Sequence, residues 1–221
     1  MNFVLETTFK PVLQVFESLP DEEIRHMRRV GHLVGLFTQW LIDIGFLKDS
    51  FEDHQFFGLA ASYHDIGKAW VPKEILTKSG RLSSHERDIM CHHPELSMNI
   101  FGRVADIICT GPFAQELALM RDCALYHHEW WNGAGYPYKK AYEQIPMVAR
   151  ITAICDAYDA MTSNRSYGVA HTHEFACQEL MRCAGTQFQP GLVLKFLSSH
   201  ISLADATHLK QWNLNKRCDF S

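Results

Sequence analysis

The sequence predicts an all-α fold. Apolar residues recur at the three- and four-residue spacing of amphipathic helices along most of the chain, whereas alternating runs typical of strands do not occur in it. Turn-forming residues concentrate in two loops, 67–80 and 132–145. With 221 residues, the chain is long enough to bury a substantial core. We therefore expect helices packed around one core, with two longer loops between them.

Five longer helical segments and two shorter ones follow one another. The first is predicted to begin with Asp21 as its N-cap, because an aspartate followed by more acidic residues is typical of a helix start. The third is predicted to begin at Ser83 or Ser84 and to bend near Pro94, since proline removes a helical hydrogen bond. Gly185 is expected to close the sixth. In order, the segments span residues 20–45, 51–65, 83–101, 114–131, 145–162, 172–185 and 190–200.

No repeat, low-complexity segment or long linker divides these helices. The predicted organisation is therefore one domain over residues 21–200. A short N-terminal extension, 1–20, precedes it, and a polar C-terminal tail, 201–221, follows it.

Composition argues against several classes of protein. A formal net charge of −4 and a pI near 6.3 provide no positive surface for non-specific nucleic-acid binding, so no DNA partner is expected. No apolar run of about 18 residues indicates a membrane span, and the N-terminus lacks the features of a signal peptide. The seven cysteines are scattered and never form Cys-x-x-Cys, which favours a reducing compartment. These observations together predict a cytoplasmic protein without a membrane partner.

The strongest local signal for chemistry is the adjacent pair His64-Asp65. Neighbours on a helix point about 100° apart, so the imidazole can bind one metal ion while the carboxylate bridges toward another. Gly67 allows the chain to turn away, and Lys68 stays beside the pair as a cation.

Other predicted helices carry histidines and carboxylates of the same kind. His26 follows Glu22 by four residues and shares its helix face. His93 is a better candidate ligand than His92 because proline follows it. Imidazole with carboxylate suits iron, manganese or zinc. The candidates on these other helices are Glu22, His26, His93, His127, His128, Asp156 and Asp159.

Simpler roles compete at several positions. Glu22 could be a first-turn carboxylate that the helix dipole favours, Asp159 a helix-surface acid, and Trp130 and Trp131 packing residues. We assign no role to the histidines at positions 32, 54, 85, 171, 173, 200 and 208.

Three stretches carry a family resemblance. They are HDIGK at 64–68, HHEWWNGAGYP at 127–137 and ARITAICDAYDAMTSNRSY at 149–167, and they resemble the HD-GYP family. This family comprises bacterial cyclic-dinucleotide phosphodiesterases within the HD superfamily of metal-dependent phosphohydrolases. The resemblance extends over residues 21–198 and implies a compact HD-type helical bundle with a GYP loop. Shorter matches are Ile75, Lys78, Gly80, Leu82 and Glu86, then His26, Arg29 and Val30, and AGTQF at 184–188.

The resemblance implies a metal centre of two or three divalent ions, usually iron or manganese. Asp65 would bridge two of them, and Glu22 matches a position that completes a third site in some members. The full ligand set carried over is His26, His64, Asp65, His93, His127, His128 and Asp156.

The resemblance also implies roles around the substrate. Lys68 and Asp159 match residues near the scissile phosphate and, with Asp65, are the candidate catalytic residues. Arg165 matches a residue that contacts a substrate phosphate, and Tyr136 lies in the loop that names the family. That loop is expected to fold back as a wall of the same pocket.

The chain departs from the family pattern at three places. Asn132 replaces an aspartate before the GYP loop, so this side chain can form hydrogen bonds but cannot act as a base. Gly168-Val169 replaces a stretch in which basic residues are common. Gln189 stands where AGTQF normally continues with aspartate. Fewer basic groups near the substrate phosphates weaken the case for tight binding of the usual dinucleotide.

The function implied is metal-assisted hydrolysis of cyclic di-GMP, or of a relative such as cyclic GMP-AMP, to a linear dinucleotide and onward to the mononucleotide. One alternative is a metal-binding but inactive domain that senses a ligand or binds a protein partner. Another is an HD-type phosphohydrolase of nucleoside phosphates, against which the GYP loop argues. Regulation is expected from a homodimer contact or from a separate protein.

Overall fold

All regular structure in the described part of the chain is helical. The computed structural model describes residues 2–48, 54–105, 114–163 and 170–202. Within these ranges there is no strand beyond one isolated bridge, Ala184 to Phe188, so the predicted all-α class is confirmed. The α-helices are α1 Asn2–Glu17, α2 Asp21–Asp43, α3 Phe57–Ala61, α4 Lys73–Leu76, α5 Ser84–Met90, α6 His93–Leu96, α7 Met98–Ala105, α8 Ala114–Tyr126, α9 Met147–Thr162, α10 His173–Arg182 and α11 Pro190–Ser198. Three short 3₁₀ helices span His54–Phe56, Ile66–Trp70 and Tyr142–Gln144.

Helix α2 begins differently from the prediction. Asp21 is its first helical residue and not its N-cap, because Pro20 occupies the cap position with extended backbone angles, φ −57° and ψ 143°. The N-cap side chain makes no capping hydrogen bond. Asp21, Glu22 and Glu23 therefore all lie in the first turn, where the positive end of the helix dipole favours carboxylates.

The predicted third helix is three short helices. The expected bend at Pro94 is instead a helix start, because Pro94 lies in the first turn of α6, where its missing N–H has no helical partner to lose. Ser83 caps α5 as predicted: its Oγ accepts from the backbone N–H of Glu86 at 3.2 Å, and Glu86 Oε2 accepts from the N–H of Ser83 at 2.7 Å.

Two other predicted helices are shorter than expected. Within the predicted segment 51–65, the described residues 54–65 contain only α3 as α-helix, followed by a turn that carries the His-Asp pair into the 3₁₀ helix Ile66–Trp70. Helix α8 ends at Tyr126, so His127 and His128 follow this helix instead of lying on it. Both changes move histidines from a regular helix face into turns.

The core is formed mainly by α2, α3, α8 and α9, whose apolar side chains share one buried cluster. Val12 and Phe16 of α1 belong to the same cluster, and the Phe16 ring lies 5.2 Å from that of Tyr63. The domain boundary at residue 21 stays a prediction, although α1 packs against this core. Among the described helices, none has the length and apolar character needed to cross a membrane.

Candidate metal centre

Seven side chains converge where α2, α6, α9 and the turns after α3 and α8 meet. Their ligand atoms form two groups, and within each group all of these atoms lie within 4.8 Å of one another. We call the two groups together the cage. The Asp65 group contains Asp65, His93, His127 and His128, and the Asp156 group contains His26, His64 and Asp156.

Asp65 joins the two groups. Its Oδ1 lies 3.0 Å from His93 Nε2 and 3.6 Å from His127 Nε2. Its Oδ2 lies 3.2 Å from His64 Nε2 and 3.8 Å from His26 Nε2. One carboxylate oxygen therefore faces each group, which is the geometry required of a bridging ligand.

The charge of Asp65 is maintained by its neighbours. Burial alone would raise the pKa of this carboxyl, but the Lys68 ammonium and the His64 imidazole more than offset that effect. The pKa of Asp65 therefore lies well below its usual range, and the side chain is an anion although it is almost fully buried.

A close approach of two backbones positions the His-Asp turn against α6. A Cβ added to Gly67 would lie 1.9 Å from the carbonyl oxygen of His93 and 2.7 Å from the N of Ser97. Any larger residue would push the turn away from α6, and with it Asp65 away from His93. This explains the glycine two residues after Asp65.

Backbone carbonyls orient three of the imidazoles. In each of these rings, Nδ1 is within hydrogen-bonding distance of the carbonyl oxygen three residues earlier. The distances are 2.8 Å for His64, 2.8 Å for His93 and 3.1 Å for His127. An N–H donor at Nδ1 leaves the Nε2 lone pair directed into the cage. Burial lowers the pKa of His127 and of His128, so both remain in the neutral form that binds metal.

His26 is oriented by a carboxylate. Its Nδ1 donates to Asp159 Oδ2 at 2.7 Å, and its Nε2 lies 3.0 Å from Asp156 Oδ1. Burial by itself would lower the pKa of His26, but Asp156 and Asp159 raise it to about 9. The ring is thus held between one carboxylate inside the cage and one behind it.

Asp159 has no exposed surface, which excludes the surface-acid alternative. Arg29 donates to it through Nε at 2.7 Å and Nη2 at 2.9 Å, and Ser163 Oγ donates at 2.9 Å. Asp159 contacts His26 at Nδ1, whereas the Nε2 of the same ring faces Asp156 in the cage. This geometry fits a positioning residue behind His26, and the place near the scissile phosphate that the resemblance implies for Asp159 stays a prediction.

Lys68 lies at the edge of the cage. Its Nζ is 2.7 Å from Asp65 Oδ2 and donates to Glu23 Oε2 at 2.8 Å. Burial would lower the pKa of Lys68, but Asp65 and Glu23 raise it above its usual value, so the amine is a cation. Glu23 is not among the candidates predicted from the sequence, because nothing local shows which first-turn acid faces a lysine 45 residues away. Glu22 is half-buried and belongs to neither ligand group.

The GYP loop folds back onto the histidines, as expected. A Cβ on Gly135 would lie 2.2 Å from the N of Trp130 and 2.5 Å from the carbonyl oxygen of His128. Tyr136 donates its N–H to that same oxygen at 3.1 Å, and its ring stacks on His128 with centroids 4.8 Å apart. Tyr136 is therefore a wall of the cage on the His128 side.

Glu129 is a second residue near the cage that is not among the candidates predicted from the sequence. It is almost fully buried, and its carboxylate accepts the backbone N–H of Tyr138 at 2.7 Å and of Lys140 at 3.1 Å. In the sequence, this acid stands between two histidines and two tryptophans, and that position could have indicated a buried role. Asn132 keeps the hydrogen bonding expected of it, since its Oδ1 accepts from Ala134 N–H at 3.0 Å.

Three remaining predictions concern the substrate side. Arg165 and Gly168 lie outside the described residues. Gln189, in place of the usual aspartate, accepts a 2.9 Å hydrogen bond from Arg150 Nη1. The Arg150 guanidinium also lies 5.8 Å from the centre of the Trp131 ring, in keeping with a packing role for Trp131.

The residues present fit divalent cations. His64 Nε2 and Asp65 Oδ1 are buried without a hydrogen-bond partner, and an unsatisfied buried polar atom costs about 1–3 kcal/mol. Both atoms face the cage, and imidazole nitrogen with carboxylate oxygen is a donor set for iron, manganese or zinc. The cage can therefore hold metal ions with the ligands in their present orientation.

The HD domain family model matches residues 20–192. The chain therefore belongs to the HD domain family and, within it, to the HD-GYP group that its motifs predict.

Three curated relatives are similar in sequence. A cyclic di-GMP phosphodiesterase of Thermotoga maritima is 33% identical over 198 residues, covering 88% of this chain and 50% of that protein. A cyclic di-GMP phosphodiesterase of Vibrio cholerae is 35% identical over 152 residues, covering 68% and 30%. The 3'3'-cGAMP-specific phosphodiesterase 2 of Vibrio cholerae is 37% identical over 134 residues, covering 61% of this chain and 24% of that protein. The chain thus spans half or less of the length of these relatives.

Two solved structures have a similar fold. An HDG"Y"P protein from Bdellovibrio bacteriovorus superposes with a TM-score of 0.57 at 14% identity, covering 89% of this chain and 58% of that one. A cyclic GMP-AMP specific phosphodiesterase of Vibrio cholerae superposes with a TM-score of 0.50 at 19% identity, covering 88% and 51%. The predicted HD-type helical fold is confirmed.

Proposed function

We propose that this domain is a metal-dependent phosphodiesterase. Its substrate would be cyclic di-GMP or a related cyclic dinucleotide such as cyclic GMP-AMP. The product would be a linear dinucleotide, with further hydrolysis to the mononucleotide as a second step. The observation that carries the proposal is the position of Asp65, with one oxygen toward each group of ligands. The names of the relatives support the substrate class.

We assign one divalent cation to the Asp65 group and one to the Asp156 group, iron or manganese in both. Glu22, in the first turn of α2, is the candidate ligand for a third ion. Such ions, when bound, lower the pKa of coordinated water from 15.7 toward about 7 and attract phosphate oxygens.

The remaining chemistry is assigned to protein groups. The Lys68 ammonium, at the edge of the cage, would donate to a non-bridging phosphate oxygen and stabilise the charge that develops there. Arg165 would contact the second phosphate. Tyr136 and the backbone around Gly135 would close the pocket on the His128 side. Asp159 would act through His26 by keeping Nε2 directed into the cage.

We further propose a cytoplasmic location, because the described cysteines are all free thiols, which a reducing compartment maintains. They are Cys91, Cys123, Cys155, Cys177 and Cys183. Control by a homodimer contact or by a separate regulatory protein stays a prediction.

The test is turnover by anaerobically prepared protein loaded with iron or manganese. Cyclic di-GMP, cyclic GMP-AMP and mononucleotides are incubated separately, and the products are identified by chromatography. We expect a linear dinucleotide from at least one cyclic dinucleotide, and none from His64→Ala/Asp65→Ala protein. His92→Ala is the matched control, because His92 is exposed and its ring is hydrogen-bonded to the Asp88 carbonyl, outside the cage. Tight binding of the cyclic dinucleotides without turnover would contradict the proposal.

A further inference from the structure

Lys68 is shared between two carboxylates of different kinds. Asp65, 2.7 Å from the ammonium, belongs to the cage, whereas Glu23, at 2.8 Å, belongs to neither ligand group. The three side chains are largely buried, so the charges interact in a medium that screens them less than water does. The ammonium is therefore held at one place by two charge-assisted contacts from α2 and from the His-Asp turn.

A divalent cation on Asp65 would compete with one of these contacts. The Lys68 ammonium and a metal ion both require the electron pairs of Asp65 Oδ2, and two cations on one oxygen repel each other. Glu23 would then be the anionic contact that keeps Lys68 beside the cage.

We propose that Glu23 is a positioning residue for Lys68. It holds the ammonium at the edge of the cage, where the lysine can contact the substrate phosphate. An ammonium without the Glu23 contact would remain on Asp65 and would oppose metal binding there more strongly. This inference rests on the proposed function for its role in turnover, but its effect on metal binding does not require turnover.

The first test is a double-mutant cycle on metal affinity. Mn²⁺ is titrated by calorimetry into wild-type protein, Glu23→Gln, Lys68→Met and the double variant. We expect Glu23→Gln to weaken Mn²⁺ binding roughly tenfold when Lys68 is present and clearly less in the Lys68→Met background, since coupled residues are non-additive. An equal effect in both backgrounds would mean that Glu23 acts only as a distant charge, and would overturn the proposal.

Two further variants separate contact from charge. Asp21→Asn removes one carboxylate from the same helical turn, but Asp21 is exposed, so we expect unchanged affinity and turnover. Glu23→Asp keeps the charge but shortens the side chain by one methylene. We expect it to lose part of the Mn²⁺ affinity, and wild-type affinity in Glu23→Asp would contradict a tether.

The second test measures cyclic di-GMP hydrolysis with saturating Mn²⁺. We expect Glu23→Gln to lower kcat roughly tenfold with a smaller change in KM, and to add no further loss to Lys68→Met. An additional loss in the double variant would overturn the positioning role. Coupling in Mn²⁺ affinity without any turnover by wild-type protein would instead support the Glu23–Lys68 tether while contradicting the proposed function.

Discussion

Asp159 and His26 form a 2.7 Å hydrogen bond, from the Nδ1–H of the ring to Oδ2 of the carboxylate. The two residues are 133 positions apart and come from α9 and α2. Arg29 donates two hydrogen bonds to the same carboxylate. A candidate ligand of the cage is thus fixed by a second layer of residues that never enters it.

Replacing Asp159 with asparagine should weaken metal binding. The amide oxygen cannot supply the negative charge that the Arg29 guanidinium and the His26 ring both contact. Loss of a carboxylate behind a ligating histidine costs roughly 10- to 100-fold in metal affinity. Mn²⁺ titration calorimetry measures this, with Asp122→Asn as the control, because Asp122 pairs with Arg121 on α8, outside the cage. Equal affinities for the two variants would contradict the positioning role of Asp159.

The same carboxyl predicts a pH dependence of stability. Burial would raise the pKa of Asp159, but His26 and Arg29 lower it below the usual value near 3.9. A folded-state pKa below the unfolded one stabilises the protein above the unfolded pKa, and this stability is lost as the pH falls through the folded pKa. In thermal unfolding of metal-free protein between pH 6 and 3, the Tm of wild type should therefore fall more than that of Asp159→Asn. Parallel curves would disprove this linkage.

A methyl group at Gly135 should disturb the GYP loop. The added Cβ would meet backbone atoms of residues 128–130, which cannot move without displacing His128. We expect Gly135→Ala to lower both the Tm and cyclic dinucleotide turnover. Gly191→Ala is the control: nothing lies within 4 Å of a Cβ there, and the exchange should be neutral or stabilise by about 0.4–1 kcal/mol. Wild-type turnover by Gly135→Ala would show that the loop geometry does not matter.

Gln189→Glu should stabilise the protein. The new carboxylate would lie where the Gln189 amide oxygen now accepts from Arg150 at 2.9 Å, and the buried Arg150 Nε has no hydrogen-bond partner. The present bond has a charge only on Arg150, whereas the variant would form a half-buried, oppositely charged pair, which predicts a gain of about 1 kcal/mol. Urea unfolding at pH 7 measures it. An unchanged or lower midpoint for Gln189→Glu would contradict the prediction.

Local sequence was sufficient for much of the architecture. Helical periodicity predicted α2, α8, α9, α10 and α11. The apolar face of each helix is formed by residues three or four positions apart, so the pattern can be read from the local sequence. It failed at Pro94, where a proline in a helical pattern is compatible with a bend or with a new start. The structure shows a new start, α6, with the His93 carbonyl packed against Gly67, a contact that periodicity cannot report.

The sequence by itself determined the helical class and, through its motifs, which histidines and aspartates are candidate ligands. Only the tertiary structure decided which groups these side chains contact. His26 forms a hydrogen bond with Asp159, Lys68 with Glu23, and the backbone of the GYP loop with Glu129. The reason is physical. Side-chain periodicity reports which face of a helix is buried, but the group opposite that face comes from residues up to 133 positions away. Its identity depends on how closely the backbones pack.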